Sequence, residues 1–122
     1  MYFLYFVNTM DRYNFNNKTF LLVDNSKEGT VNHDTVFKYK QEGNLVTADY
    51  HGGTIVYGKI IALLEGDQLH MRYQCLTIGN ELKSGKAIAS ISTSEEGKLK
   101  LSLEWEWLEG TNEKGTSEYL EM

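Results

Sequence analysis

The sequence contains no proline and a single cysteine, Cys75. One thiol excludes an internal disulfide and gives no thiol cluster for structural zinc. Proline is a common means of blunting open sheet edges, so its absence suits a sheet that closes on itself. A basic excess is also missing, because the net charge is −5 and the lysines are scattered. Nucleic-acid binding without sequence preference needs a dense basic face to displace phosphate counterions, and that class is excluded. No apolar run approaches the ~20 residues of a membrane-spanning helix, so no membrane partner is expected. The opening Met1-Tyr-Phe-Leu-Tyr-Phe-Val7 is short and lacks the basic leader and small-residue cleavage site of a signal peptide. We read residues 1–12 as an apolar extension (an extra strand, an oligomer contact or a start-site addition), and the protein as cytoplasmic.

What remains is a globular composition. At 122 residues, with 41% hydrophobic and 24% charged residues, the chain has the balance of one folded domain, which we place over residues 13–122. A domain of this size buries roughly two-thirds of the surface that its unfolded chain exposes, enough for a core without covalent staples. Eight of the 17 acidic residues fall between Glu95 and Met122, against three lysines there. That imbalance gives the C-terminal end a negative field and serves solubility.

Turn residues punctuate the chain regularly, at Asp24-Asn25-Ser26, Glu42-Gly43-Asn44, His51-Gly52-Gly53, Glu65-Gly66-Asp67, Gly79-Asn80, Glu95-Glu96-Gly97 and Gly110-Thr111-Asn112. The segments between them are rich in β-branched and aromatic residues, which predicts strands near 18–24, 31–41, 45–50, 54–64, 68–78, 82–93, 98–109 and 115–122. Alternation is clearest where Leu99, Leu101, Leu103, Trp105 and Trp107 share one face while Lys98, Lys100, Ser102, Glu104 and Glu106 share the other. The same rule turns Leu69, Met71, Tyr73 and Cys75 inward, and His33, Phe37, Tyr39 and Gln41 inward on the second segment. In 54–64 the charge on Lys59 sends Val56, Gly58, Ile60, Ala62 and Leu64 inward, leaving Ile55, Tyr57 and Ile61 outside and in need of cover. A second copy of the chain, in a homodimer, or the apolar N-terminal segment is expected to supply it. Short connections and no helical pattern predict an all-β fold, an antiparallel up-and-down barrel of about eight strands of the calycin or lipocalin-like kind. A two-sheet β-sandwich is the alternative.

A barrel of eight strands is either filled by side chains or holds one small ligand. Ala48, Gly58, Gly85, Ala87 and Ala89 free volume inside, while Tyr39, Tyr50, Tyr73, Trp105 and Trp107 ring what is left. We take these five aromatics as candidate ligand-binding residues, with Gln41 as a polar contact, against the simpler reading that they fill the core. No metal site is expected, since His33, His51 and His70 lie 18 and 19 residues apart without partner carboxylates at ligand spacing. Nor is a catalytic residue. His33 and Asp34 point to opposite faces, Glu104 and Glu106 lie on the solvent face, and Cys75 reads as a small core residue. His51-Gly52-Gly53 leads into a strand, whereas a phosphate cradle needs a helix N-terminus, so no cofactor is expected.

Over about nine-tenths of the chain, the succession Phe37-Lys-Tyr-Lys-Gln41, Ala48-Asp-Tyr50-His-Gly-Gly53, Gly58, Met71-Arg-Tyr-Gln74, Gly85 and Trp105-Glu-Trp107 resembles a group of short bacterial proteins, many named N-acetylglutamate synthase. That resemblance implies, as an alternative function, acyl transfer from acetyl-CoA to an amino acid. The architecture is in turn similar to lipocalin-like and avidin-like small barrels, which implies binding of a small, partly apolar ligand at one open end.

Overall fold

A computed structural model of the chain describes residues 13–26, 31–110 and 113–122. Eight strands follow one another: β1 (Thr19–Asn25), β2 (Val36–Glu42), β3 (Leu45–Gly52), β4 (Ile55–Glu65), β5 (Gln68–Thr77), β6 (Leu82–Thr93), β7 (Leu99–Trp107) and β8 (Lys114–Glu121). Each pairs antiparallel with its neighbour in sequence, and β1 pairs with β8, so the sheet is a closed barrel. Closure excludes the sandwich alternative. It also leaves no open sheet edge, consistent with a sequence that contains no proline.

Alternation sets the inside. Leu101, Leu103, Leu69, Met71, Ala87 and Ala89 are buried as their strand positions require, and their neighbours Lys100, Arg72, Lys86 and Glu104 face outward. The two ends differ in which turns they carry. The β2–β3, β4–β5 and β6–β7 turns and the start of β1 lie at one end, which is crossed by residues 13–18. Phe15 enters the barrel there with no exposed surface, and Gln41 Oε1 accepts a hydrogen bond from its backbone N–H at 2.8 Å. Phe15, Phe20 and Tyr39 pack ring on ring, with centroids 5.0 to 6.0 Å apart. Tyr13 donates from its hydroxyl to Asp67 Oδ1 at 2.7 Å and fastens this strap to the β4–β5 turn.

Three expectations from the sequence need correction, each through local backbone geometry. First, β2 begins at Val36 and not at residue 31. Asn32 Oδ1 accepts from Asp34 N–H at 2.8 Å, and Asn32 O accepts from Thr35 N–H at 3.0 Å, so the segment turns where an extended strand was expected. His33 therefore lies exposed in that turn, its Nδ1 3.1 Å from Leu22 O, and does not share the inner face of Phe37 and Tyr39. Second, a register shift between Ile55 and Tyr57 rephases the start of β4: Ile55 is buried and Val56 exposed, the reverse of strict alternation. Third, β1 continues through Asn25, a residue expected in the turn after the strand, and a register shift between Leu22 and Asp24 sets it opposite Ser117 on the inner face. The extension expected over 1–12 lies outside the described residues.

Candidate functional site

The end opposite Phe15 is built differently. Tyr50 pairs across the sheet with Gly58, Tyr73 with Gly85, and Trp105 with Gly115. In each pair the ring covers its glycine so closely that a Cβ there would overlap ring atoms, and at Gly85 the Glu106 carbonyl oxygen as well. The aromatics come from β3, β5 and β7 and the glycines from β4, β6 and β8, one pair per hairpin. Two of the rings reach one strand further. Tyr73 donates to Glu106 O on β7 at 3.1 Å, and the Tyr50 hydroxyl lies 3.5 Å from Gln74 O on β5. Rings laid along the wall leave space along the axis.

That space is a cavity of about 60 Å³, several times the roughly 10–15 Å³ that one water molecule needs. Tyr39 forms its floor and separates it from Phe15; Tyr50, Tyr73, Trp105 and Trp107 stand around it. Phe37 stacks on Tyr50 at 4.7 Å, and Tyr73 meets Trp107 edge to face at 5.4 Å, so the lining rings support one another. Tyr73, Trp105, Val31 and Asn25 are only partly buried, which marks where the cavity meets solvent. Five of the six residues selected from sequence thus surround one cavity. Gln41 lies outside it, below Phe15, with its amide Nε2 donating to Gly43 O at 2.9 Å.

Among the described residues the lining carries no carboxylate, ammonium, guanidinium or imidazole, and the Lys83 ammonium lies 4.3 Å from the centroid of the Trp107 ring. Its phenols stay protonated, since burial raises the pKa of Tyr39, Tyr50 and Tyr73 well above the ordinary value and pushes Tyr119 up to about 12. Burial likewise raises the Cys75 thiol, and hydrogen bonding from Tyr50 and the charge of Lys83 only partly oppose it, so Cys75 is no activated nucleophile. Glu104 and Glu106 lie on the outer wall, the latter 3.9 Å from Lys86 Nζ. Among the described residues no cluster of histidine, cysteine or carboxylate side chains is arranged to hold a metal ion. No helix occurs among them, so acetyl-CoA would find no helix N-terminus for its pyrophosphate.

Among the lining residues not foreseen as site residues, two carry buried polar atoms without a partner. Asn25 and Ser117 sit opposite each other on β1 and β8, and among the described residues neither Asn25 Oδ1 nor Ser117 Oγ has a hydrogen-bond partner, although both atoms are buried. Ser117 is close enough to Tyr119 to temper the rise of its phenol pKa, yet no well-formed hydrogen bond joins them. Asn25 was read as part of a turn. The signal that could have exposed it is the run Phe20-Leu-Leu-Val-Asp-Asn25, where strict alternation would bury a carboxylate and a bulge relieves it.

Compared with known proteins, residues 13–122 match the family model described as avidin-like protein. No curated protein and no solved structure matches the chain.

Proposed function

The chain belongs to the avidin-like protein family, its match running the length of the barrel, and from that premise we propose that it binds a small molecule in the mouth half of the barrel lumen. The observation that carries this reading is the set of three aromatic rings held flat over glycines. A barrel built only for stability would turn those rings into the axis and fill it, as Phe15, Phe20 and Tyr39 do at the other end. Glycine in a strand interior weakens the strand, so three such positions around one cavity need a reason beyond packing. Holding a site open is such a reason.

The test is native mass spectrometry of gently purified protein, compared with its denatured mass. Excess mass lost on denaturation supports a bound ligand and delivers it for identification. A matching mass, together with no response of Trp105 and Trp107 fluorescence to a library of small molecules, removes the reading. Acyl transfer is tested separately: accumulation of an acetylated amino acid when pure protein meets acetyl-CoA and glutamate would restore that alternative.

A second reading concerns the outer wall. Leu45 and Leu63 are paired across β3 and β4, with Ile61 beside them and Ile88 further round, and all four are exposed. This strip favours association of two copies of the chain as a homodimer. Light scattering at micromolar concentration should then give a dimer mass that falls to the monomer in Ile61→Glu.

A further inference from the structure

Lysines that are scattered along the sequence are gathered by strand register onto one side of the outer wall. Apart from the strand-end residues Glu42 and Glu65, strands β2 to β6 present Lys38, Lys40, Lys59, Arg72 and Lys86 outward against one carboxylate, Asp49. The chain as a whole has a net charge of −5, and Asp34, Asp67, Glu81, Glu95 and Glu96 lie in the connections before and between these strands and β7. The wall is therefore basic where the molecule is acidic.

Arg72 is the residue that this arrangement leaves unserved. It stands directly opposite Lys86 across β5 and β6, with Ile61 on its other side across β4. Like charges directly opposite one another destabilise a sheet. Lys59 has Asp49 at 3.2 Å, and Lys86 has Glu106 at 3.9 Å. Among the described residues the Arg72 guanidinium pairs with no carboxylate; its Nη1 donates to the Met71 carbonyl at 3.2 Å. A chain with 17 acidic residues has carboxylates to spare, yet a lysine faces this arginine.

Apolar side chains border the cations on the side toward the mouth. Tyr57, Leu76 and Leu82 follow one another across β4, β5 and β6, and they are 36% to 75% exposed. Next to them the wall dips into a groove of about 290 Å³ lined by Lys59, Ile61, Arg72, Gln74, Ser84 and Leu108. The closed barrel has no edge to which a partner could add a strand, so recognition here falls to side chains. Same-face side chains of an extended peptide recur every ~6.8 Å, as they do along β5. A peptide lying along β5 thus meets three outward rows in turn: Tyr57, Leu76 and Leu82, then Lys59, Gln74 and Ser84, then Ile61, Arg72 and Lys86. A nucleic-acid backbone would match the cations alone and leave the apolar row uncovered.

We propose that the outer wall over β4 to β6 docks an extended acidic segment of a partner protein, read as an aliphatic residue and two acidic residues at alternate positions. The aliphatic chain covers Leu76 and Leu82, the first carboxylate meets Lys59, and the second sits between Arg72 and Lys86. This surface is separate from the lumen, and it shares only Ile61 with the strip assigned to the homodimer.

The test is a titration of the full chain with the acetylated, amidated peptide Leu-Ser-Glu-Ser-Glu at low ionic strength, where exposed charges are least screened. In ¹H–¹⁵N correlation spectra the amides of Lys59, Arg72, Gln74 and Lys86 should shift while the Trp107 indole signal stays in place. Replacing both glutamates of the peptide by glutamine should weaken binding about tenfold, and Arg72→Gln about threefold, the scale of one exposed ion pair. The double variant Arg72→Glu, Lys86→Glu should reverse the preference and favour Leu-Ser-Glu-Ser-Lys. Arg72→Glu alone sets a carboxylate opposite Lys86 and should raise the Tm of peptide-free protein; a lower Tm removes the like-charge argument on which the proposal stands. No binding at millimolar peptide, shifts confined to other strands, or a preference that survives in the double variant overturns the proposal. Tighter binding of a short DNA duplex than of the peptide overturns it as well, and the band is then a general anion surface. None of these outcomes bears on ligand binding in the lumen.

Discussion

The two ends of this barrel use the same residue types in opposite ways. At the strapped end Phe15, Phe20 and Tyr39 turn their rings into the axis and pack on one another, and Phe15 and Phe20 have no exposed surface. At the mouth Tyr50, Tyr73 and Trp105 lie against the wall over Gly58, Gly85 and Gly115, and two of the three remain partly exposed. Phe15 reaches the axis from the strap; for the strand residues the difference comes from the position across the strand pair, Phe20 facing Phe37 and Tyr39 facing Ala48. An aromatic whose cross-strand neighbours all carry a Cβ must stand away from the sheet, whereas one with a glycine on one side can lie over it, as Trp105 does over Gly115 although Ala87 flanks it on β6. Aromatic content alone therefore does not distinguish a core from a site; the cross-strand partner does.

The largest break in this comparison should come from the strapped end. Phe15→Ala removes a fully buried ring at a place where the surrounding barrel wall cannot collapse, and it should cost about 3–5 kcal/mol in urea denaturation. It should also open the floor beneath Tyr39. A loss under 1 kcal/mol would mean that the strap is an accessory and that the barrel closes without it.

Gly58→Ala is the matching change at the mouth. The added methyl has no room beneath the Tyr50 ring, so the ring must lift toward the axis, into the cavity. Overpacking of this kind costs roughly 1–3 kcal/mol, less than the loss of Phe15, but ligand binding should suffer more than stability does. Wild-type affinity in Gly58→Ala, whichever ligand is followed, would show that the flat ring is not what keeps the site open.

Much of this arrangement is legible in the sequence, and what escapes does so for local reasons. Period-two alternation places Leu69, Met71, Tyr73, Leu101, Leu103, Trp105 and Trp107 on the inner face, and turn residues divide the chain into its eight strands. The aromatic ring around the cavity follows from those two signals together. Alternation fails at bulges, where one extra residue reverses the faces: Ile55 and Val56 exchange places, and Asn25 enters the wall. It also overruns Asn32, whose side chain turns the backbone and leaves His33 in solvent. Gln41 does point from an inner position, yet the strap that claims its amide is a segment with no periodicity to reveal it. Gly115 was hidden because it follows a turn cluster, although its register partner, Trp105, was in view.

Titration should affect the two ends at opposite extremes of pH. At the strapped end, the Leu99 backbone N–H at 2.9 Å and then Lys18 at 3.0 Å hold the Glu121 carboxyl below its usual range. A depressed folded pKa means that this contribution is present above the unfolded carboxylate value and is lost as pH falls through the folded one. Glu121→Gln should accordingly flatten the acid side of the stability profile. Around the cavity the signs reverse. The raised pKa values of Tyr39, Tyr50, Tyr73 and Tyr119 favour the neutral phenols in the fold. Stability from them is complete below the free-tyrosine value near 10 and declines as pH rises beyond it toward the folded values. Tyrosinate absorbance at 295 nm should show these four ionising together with unfolding. Early ionisation of any of them in folded protein would mean that water already occupies the mouth freely.

The smallest expected effect tests whether the mouth sacrifices stability for its site. Thr35 and Ser117 are both buried hydroxyl residues, but their surroundings differ: Thr35 Oγ1 donates to Gly52 O at 3.0 Å, whereas Ser117 Oγ has no partner among the described residues. Deleting a satisfied hydroxyl leaves its partner stranded, while deleting an orphaned one relieves a desolvation cost. Thr35→Val should therefore destabilise the protein by about 1–2 kcal/mol, and Ser117→Ala should be neutral or stabilising by up to about 1 kcal/mol, raising Tm by a few degrees in the ligand-free protein. Adding ligand should reverse the order, because wild-type protein gains a hydrogen bond that Ser117→Ala cannot form. Equal destabilisation by both substitutions, with or without ligand, would mean that Ser117 is satisfied in solution, and the polar side of the cavity would then reduce to Asn25 alone.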